Sequence, residues 1–272
     1  MPIPTEPIGS IPRPLQLLSA MADHSAGRIS EEQFHAVQND ALRETIARFE
    51  ETGSPLITDG EQTKPSFATY PLGGLGNLAA DGVVIPFADG HTRQLPRLTS
   101  GPFHYATHAV SFLKAAQRYA HRQSKQAVIS ASALSLLYPA TGLPGYSQEA
   151  FLDDLLNEAE RGIRECLDGG AACVQVDFTE GRLALKLDPS AGLLRSFVAL
   201  NNRVLDRFTS AERQKIGVHT CPGGDRDSTH SADVDYSALF PLLFELNTTP
   251  DVFTFSWPVS LTAEGYSPKS VN

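Results

Sequence analysis

Apolar residues recur along this chain in two alternating rhythms. From Glu31 to Glu51, Phe34, Val37, Leu42, Ile46 and Phe49 fall at mostly helical intervals, with Ser30 placed as an N-cap and Gly53 as a stop. The run Pro55-Leu-Ile-Thr-Asp-Gly60 then reads as a short buried strand that carries Asp59 and Glu61 to its C-terminal end. The alternation continues. Ala106 to Gln123 is expected as helix, Gln126 to Ser132 as strand, and Gln148 to Leu167 as an amphipathic helix stopped by Gly169-Gly170. Cys173 to Phe178 reads as strand, Leu193 to Phe208 as helix, Lys215 to Thr220 as strand, Tyr236 to Leu246 as helix and Asp251 to Ser256 as a last strand. Helices alternating with strands imply a parallel sheet with crossover helices.

One stretch breaks the rhythm. Val83 to Leu95 holds Asp89-Gly90 between two apolar runs, the signal of a β-hairpin, so an insert is expected over about 82–97. With Pro7-Ile-Gly-Ser10 counted as a first strand end and Leu98-Thr-Ser-Gly101 as a third, seven strands are predicted, one fewer than a closed TIM-type (β/α)8 barrel requires. The segment 258–272 is polar and turn-rich. The expectation is therefore a single domain over 1–272, an α/β barrel of the TIM type whose eighth βα unit is missing. Its open seam between Ile8 and Phe255 would favour a homo-oligomer.

Composition narrows the partners. A formal charge of -9 leaves no basic field for nucleic acid or an anionic membrane, and a small-molecule ligand is expected instead. The N-terminus lacks the charged and apolar regions of a signal peptide, no run approaches a membrane span, and a cytoplasmic location follows. The three cysteines, Cys166, Cys173 and Cys221, do not form a disulfide pattern.

In parallel α/β folds the reacting groups lie just past the C-terminal strand ends. Five segments pass that filter: Gly9-Ser10, Asp59-Gly60-Glu61, Ser130-Ala-Ser132, Asp177, and His219-Thr-Cys221. His219 and Cys221, two apart on one strand end, point to the same side and could share a zinc ion; the alternative is a buried cysteine beside a hydrogen-bonded histidine. Asp177 needs a cationic or hydrogen-bonding partner if buried, either a ligand amine or Arg182 or Lys186 in the loop that follows. Glu61 stands in the same position with respect to Lys64. The acid-rich segment Gly223 to Asp233 lacks calcium-loop spacing and reads as a long βα loop. Gly73-Gly-Leu-Gly76 is not a nucleotide fingerprint, because no strand leads into it.

Four ordered motifs carry a resemblance: Pro7-Ile-Gly-Ser10, Thr58-Asp-Gly-Glu-Gln62, Val174-Gln-Val-Asp177 and Gly217-Val-His-Thr-Cys221. Together they resemble the catalytic C-terminal barrel of the cobalamin-independent methionine synthase family and its short single-barrel relatives, over about Thr5 to Leu246. The resemblance implies zinc-dependent transfer of a methyl group from a methylated folate to a thiol such as homocysteine. It implies that His219 and Cys221 are zinc ligands, that Gly9 and Ser10 hold the amino acid's carboxylate, and that Glu61 and Asp177 hold its ammonium group. It also exposes departures. The family's third ligand, a glutamate, falls where this chain has Ser256, and its fourth, a cysteine on the last strand, has no counterpart, nor has its proton-donating histidine. Cys173 lies four residues before Asp177, about 13 Å down the strand, and cannot substitute. A non-catalytic relative, or an alkyl transferase acting on a different thiol or small molecule, are the alternatives.

Overall fold

The computed structural model describes residues 6–87, 90–221 and 234–248, together with the backbone of a strand at 253–255. Helices α1 (Leu15–Ser25) and α2 (Glu31–Glu51) lead into β1 (Leu56–Ile57). A 3-10 turn at Tyr70–Leu72 precedes the short strands β2 (Leu78–Ala79), β3 (Val84–Pro86), β4 (Thr92–Gln94) and β5 (Arg97–Leu98). The regular alternation then begins: α3 (Val110–Gln117), β6 (Gln123–Ile129), α4 (Ala131–Ser135), α5 (Gln148–Asp168), β7 (Cys173–Asp177), α6 (Glu180–Leu187), α7 (Gly192–Leu205), α8 (Ser210–Arg213), β8 (Ile216–Thr220), α9 (Tyr236–Leu243) and β9 (Phe253–Phe255).

β1, β6, β7, β8 and β9 form one parallel sheet in that order. Its two faces differ in chemistry because successive side chains alternate. Val174, Val176, Ile216 and Val218 join Phe151, Leu155, Ile163, Phe197, Val198 and Val204 of α5 and α7 in the main core. The other face carries Lys125, Gln175, Asp177 and His219, all buried and hydrogen-bonded to one another across the strands. Hydrophobic burial against the helices thus fixes the register, and the register lines up the polar face.

The sheet departs from the seven-strand expectation. Residues 7–10 form no strand; they lie beside the end of β1, where Thr58 Oγ1 donates to Gly9 O at 3.3 Å and Ile11 N to Gly60 O at 3.2 Å. Leu98 belongs to β5, which pairs antiparallel with β2 (Leu78↔Leu98) outside the parallel sheet. Five parallel strands remain among the described residues, and they do not close into a barrel. The hairpin is present as β3 and β4, with Ile85 opposite Arg93, although Ala88 and Asp89 of its turn lie outside the described residues. The insert is larger than expected, since β2 and β5 flank the hairpin as a second ribbon.

Helix ends were shifted by side chains that capture backbone groups. The helix expected over Ala106 to Gln123 shrinks to α3, because the Glu50 carboxylate accepts the backbone N–H groups of His121 (2.5 Å) and Arg122 (3.0 Å) and diverts the chain into β6. The strand expected to reach Ser132 stops at Ile129, because Ser130 caps α4 by accepting from Ala133 N at 3.1 Å. Arg182 and Lys186 lie on a helix, α6, and not in a loop. The acid-rich segment 223–233 and the tail 258–272 lie outside the described residues, as does Ser256.

α2 starts at a full capping box: Ser30 Oγ accepts from Gln33 N while Gln33 Oε1 accepts from Ser30 N. Ser30→Ala is expected to cost about 1 kcal/mol of stability, read as a lower urea midpoint with an unchanged m-value.

Candidate active site

Asp177 and His219 sit opposite one another at the C-terminal ends of β7 and β8. Both are buried, and His219 Nδ1 meets Asp177 Oδ1 at 3.0 Å. Gln175, two residues earlier on the same face, donates from Nε2 to that same oxygen at 2.7 Å. Asp177 is therefore satisfied by Gln175 and His219, while Arg182 turns to the carbonyl of Val234 and stacks over Tyr236 at 4.4 Å.

Cys221 follows His219 by two residues and is partly exposed. Nδ1 of His219 is engaged by Asp177, and an imidazole nitrogen and a thiol sulfur are together a donor set of the right chemistry for zinc. It is half of a tetrahedral set. Among the described residues no three His, Cys, Asp or Glu side chains converge on a metal position. The other two cysteines do not help: burial pushes the Cys166 thiol up to about 12 and the Cys173 thiol up to about 11, and Cys173 starts β7 at the far end of the sheet.

The loop after β1 is a strained, fully braced turn. Gly60 and Glu61 both have positive φ, 61° and 54°, a conformation that costs a residue with a side chain of order 1 kcal/mol or more and persists only where its surroundings impose it. Here they do. Thr58 Oγ1 accepts from Gly60 N (3.1 Å), Asp59 Oδ1 accepts from Glu61 N (3.0 Å), and Arg13 Nη2 donates to the carbonyls of Glu61 (3.1 Å) and Lys64 (2.6 Å). A side chain at Gly60 would also meet Thr45 Cγ2 at 2.7 Å.

The turn aims the Glu61 side chain inward, where Lys64 Nζ donates to Oε1 at 2.9 Å and to Ala127 O at 2.8 Å. Of the two partners left open by the sequence, the structure supplies Lys64. Burial raises the Glu61 carboxyl above the usual range; Lys64 opposes that shift, and Asp177 and Asp59 reinforce it. For Lys64, burial works against the charge, but Glu61, Asp59 and Asp177 outweigh it and hold the ammonium protonated. Gly9 is buried nearby, with no atom of the described residues other than its chain neighbours within 4 Å of where a Cβ would stand, and Ser10 is exposed.

Glu180 was not anticipated. It is buried at the start of α6, where Ser130 Oγ donates to Oε1 at 2.5 Å, Ser132 Oγ donates to the same atom, and Asn201 Nδ2 supports Ser132 at 2.7 Å. Its Oε2 is buried and has no hydrogen-bond partner among the described residues. Burial pushes the carboxyl up to about 7, although both serines favour the charged form. The Ser130-Ala-Ser132 strand end is the only sequence signal for this cluster; nothing in the local pattern of Glu180 shows that its carboxyl group reaches the two serines.

Two expected outcomes follow from these burials. Lys64→Met leaves Glu61 buried without its cation and should cost about 3–5 kcal/mol; adding Glu61→Gln should recover much of it in a chemical-denaturation series. For Glu180 the folded pKa lies above the ordinary value of 4.5, so between about 4.5 and 7 the folded protein holds a proton that the unfolded chain has released, and stability falls as pH rises through that window. Urea titrations at pH 5 and pH 8 should show a loss larger than that of Glu180→Gln by on the order of 3 kcal/mol.

No family model matches the chain. Over 68 residues, a quarter of its length, it is 37% identical to a 5-methyltetrahydropteroyltriglutamate–homocysteine methyltransferase of Syntrophotalea carbinolica and 32% identical to a methionine synthase of Sulfolobus acidocaldarius. The matched stretches span only 9% and 20% of those proteins. In three dimensions it is similar to a B12-independent methionine synthase from Shewanella sp. W3-18-1 solved with selenomethionine, at a TM-score of 0.64 and 18% identity, covering 90% of this chain and 71% of that one. A putative vitamin-B12-independent methionine synthase from Listeria monocytogenes aligns at a TM-score of 0.55 and 20% identity, over 78% and 63% of the two chains.

Proposed function

From the premise that this chain shares the fold of the cobalamin-independent methionine synthases, with a distant sequence relationship to them, we propose that it transfers a methyl group to a thiol at the C-terminal ends of β7 and β8. The observation that carries this reading is the Asp177–His219 hydrogen bond at 3.0 Å in register across the two strand ends, with Cys221 two residues beyond. Small-molecule substrates and a cytoplasmic setting belong to the same reading.

In it, His219 through Nε2 and Cys221 through its sulfur would hold zinc, with the remaining positions filled from outside the described residues or by the substrate. Zinc bound there would supply a lowered pKa for the acceptor thiol, which then reacts as thiolate at neutral pH. The protein's own residues do the rest. Asp177 orients the imidazole by accepting from Nδ1. Glu61 and Asp177 present carboxylates to the ammonium of an amino-acid thiol such as homocysteine, and Gly9, which no side chain of the described residues crowds, takes its carboxylate with Ser10. Burial of Glu61, Asp177 and His219 keeps water away and strengthens each of these contacts. The donor, read as a methylated folate, gives its methyl group to sulfur, and the thiol's proton is left for the folate nitrogen.

A second reading is favoured by two observations: Glu61 already has Lys64 as its counter-ion, and the described residues supply only two metal donors. It is a relative that keeps the strand-end motifs without the methyl transfer. Zinc measured on the purified protein separates the two. The first reading expects bound or readily taken-up zinc that falls to background in both His219→Ala and Cys221→Ala; a protein that takes up no zinc, or two variants that retain all of it, would leave the second.

A further inference from the structure

The buried polar face of the sheet forms an unbroken hydrogen-bonded row with a fixed direction. Lys125 Nζ, fully buried in β6, donates to Glu6 Oε1 at 2.8 Å and to Gln175 Oε1 at 2.9 Å. Gln175 Nε2 donates to Asp177 Oδ1 at 2.7 Å, and that oxygen meets His219 Nδ1 at 3.0 Å. Three strands, β6, β7 and β8, are tied together by it.

Each member's chemistry leaves one arrangement. A lysine ammonium can only donate, so the Gln175 oxygen faces Lys125 and its NH2 group faces Asp177. An amide NH2 also only donates, so Asp177 Oδ1 is an acceptor on that side. Sharing the same oxygen, His219 Nδ1 has to bring the proton, and the lone pair of a neutral ring is left on Nε2. Without Lys125 the Gln175 amide could rotate and present its oxygen to Asp177, two acceptors face to face in a buried site.

We propose that Lys125 and Gln175 are positioning residues for the site: they fix which nitrogen of His219 carries the proton, and so which one faces a metal or substrate, from positions four and two residues down the sheet from the level of Asp177. The inference rests on the functional reading of His219, but it concerns the protein's own hydrogen bonds and can be read in their absence of any substrate.

The test uses the full chain labelled with 15N-histidine, the His219 signals being identified by their loss in His219→Ala. In the metal-free protein, followed with rising pH until the ring is neutral, Nδ1 should resonate as a protonated, pyrrole-type nitrogen and Nε2 as an unprotonated, pyridine-type one. Lys125→Met and Gln175→Met should blur or reverse that pattern and weaken zinc binding by about 10- to 100-fold in a competition titration against a chromophoric chelator. Lys125→Gln keeps a donor facing Gln175 Oε1 and should restore both. A wild-type Nδ1 without a proton overturns the inference, as do Lys125→Met and Gln175→Met proteins that fold with the original nitrogen pattern. A Lys125→Gln variant that behaves like Lys125→Met would overturn the orienting role assigned to Lys125. A wild-type protein that shows the expected pattern yet takes up no zinc supports the inference while defeating the proposed function.

Discussion

A carboxyl group can be buried between two strands only if hydrogen-bond partners meet it from inside the protein, and Asp177 sets that requirement for the rest of this structure. Its donors, Gln175 and His219, are placed by strand register alone: one lies two residues back on the same face and the other directly across from it. Gln175 then needs a donor for its own oxygen, which brings Lys125 into the interior, and Lys125 needs an acceptor at its other side, which ties Glu6 to the sheet. A single acid at a strand end thus accounts for a row of polar residues that would otherwise be costly to bury.

A related constraint governs the edge of the sheet at β1. This strand pairs with β6 over only two positions, Leu56 and Ile57, so the backbone of β6 beyond Ser124 loses its strand partner on that side. Side chains take its place. Lys64 caps the Ala127 carbonyl, and the Tyr70 hydroxyl meets the backbone of Ile129. Lys64 carries charge into the seam, where Glu61 answers it, and Glu61 can do so because the turn holds it at positive φ. Strain at Glu61, the short strand and the buried ion pair are three consequences of one early divergence between strands.

The two polar groupings meet at the strand ends. Asp177 acts electrostatically on Glu61, Lys64 and Glu180, so the charge on any one of them depends on the others. Such mutual dependence is typical of sites where protons and charged ligands are handled. Any further cation brought to Glu61 would have to compete with the resident Lys64.

The sequence by itself determined the helix–strand alternation, the hairpin around Gly90, the strands that bear Asp177 and His219, and the placement of these polar residues at their ends. These are local matters: apolar period, caps and turn residues are encoded within a few positions of where they act. Tertiary structure alone decided which partner each buried acid takes. Glu61 found Lys64 three residues away through a left-handed turn that no pattern announces, whereas Asp177 bypassed Arg182 for residues on two strands. It also decided that residues 7–10 and Leu98 stay out of the parallel sheet, because strand pairing depends on neighbours distant in the chain, and that Ser130 caps a helix and, with Ser132, holds a glutamate fifty residues away. Burial creates the demand for a partner, and only the folded arrangement says which groups are close enough to meet it.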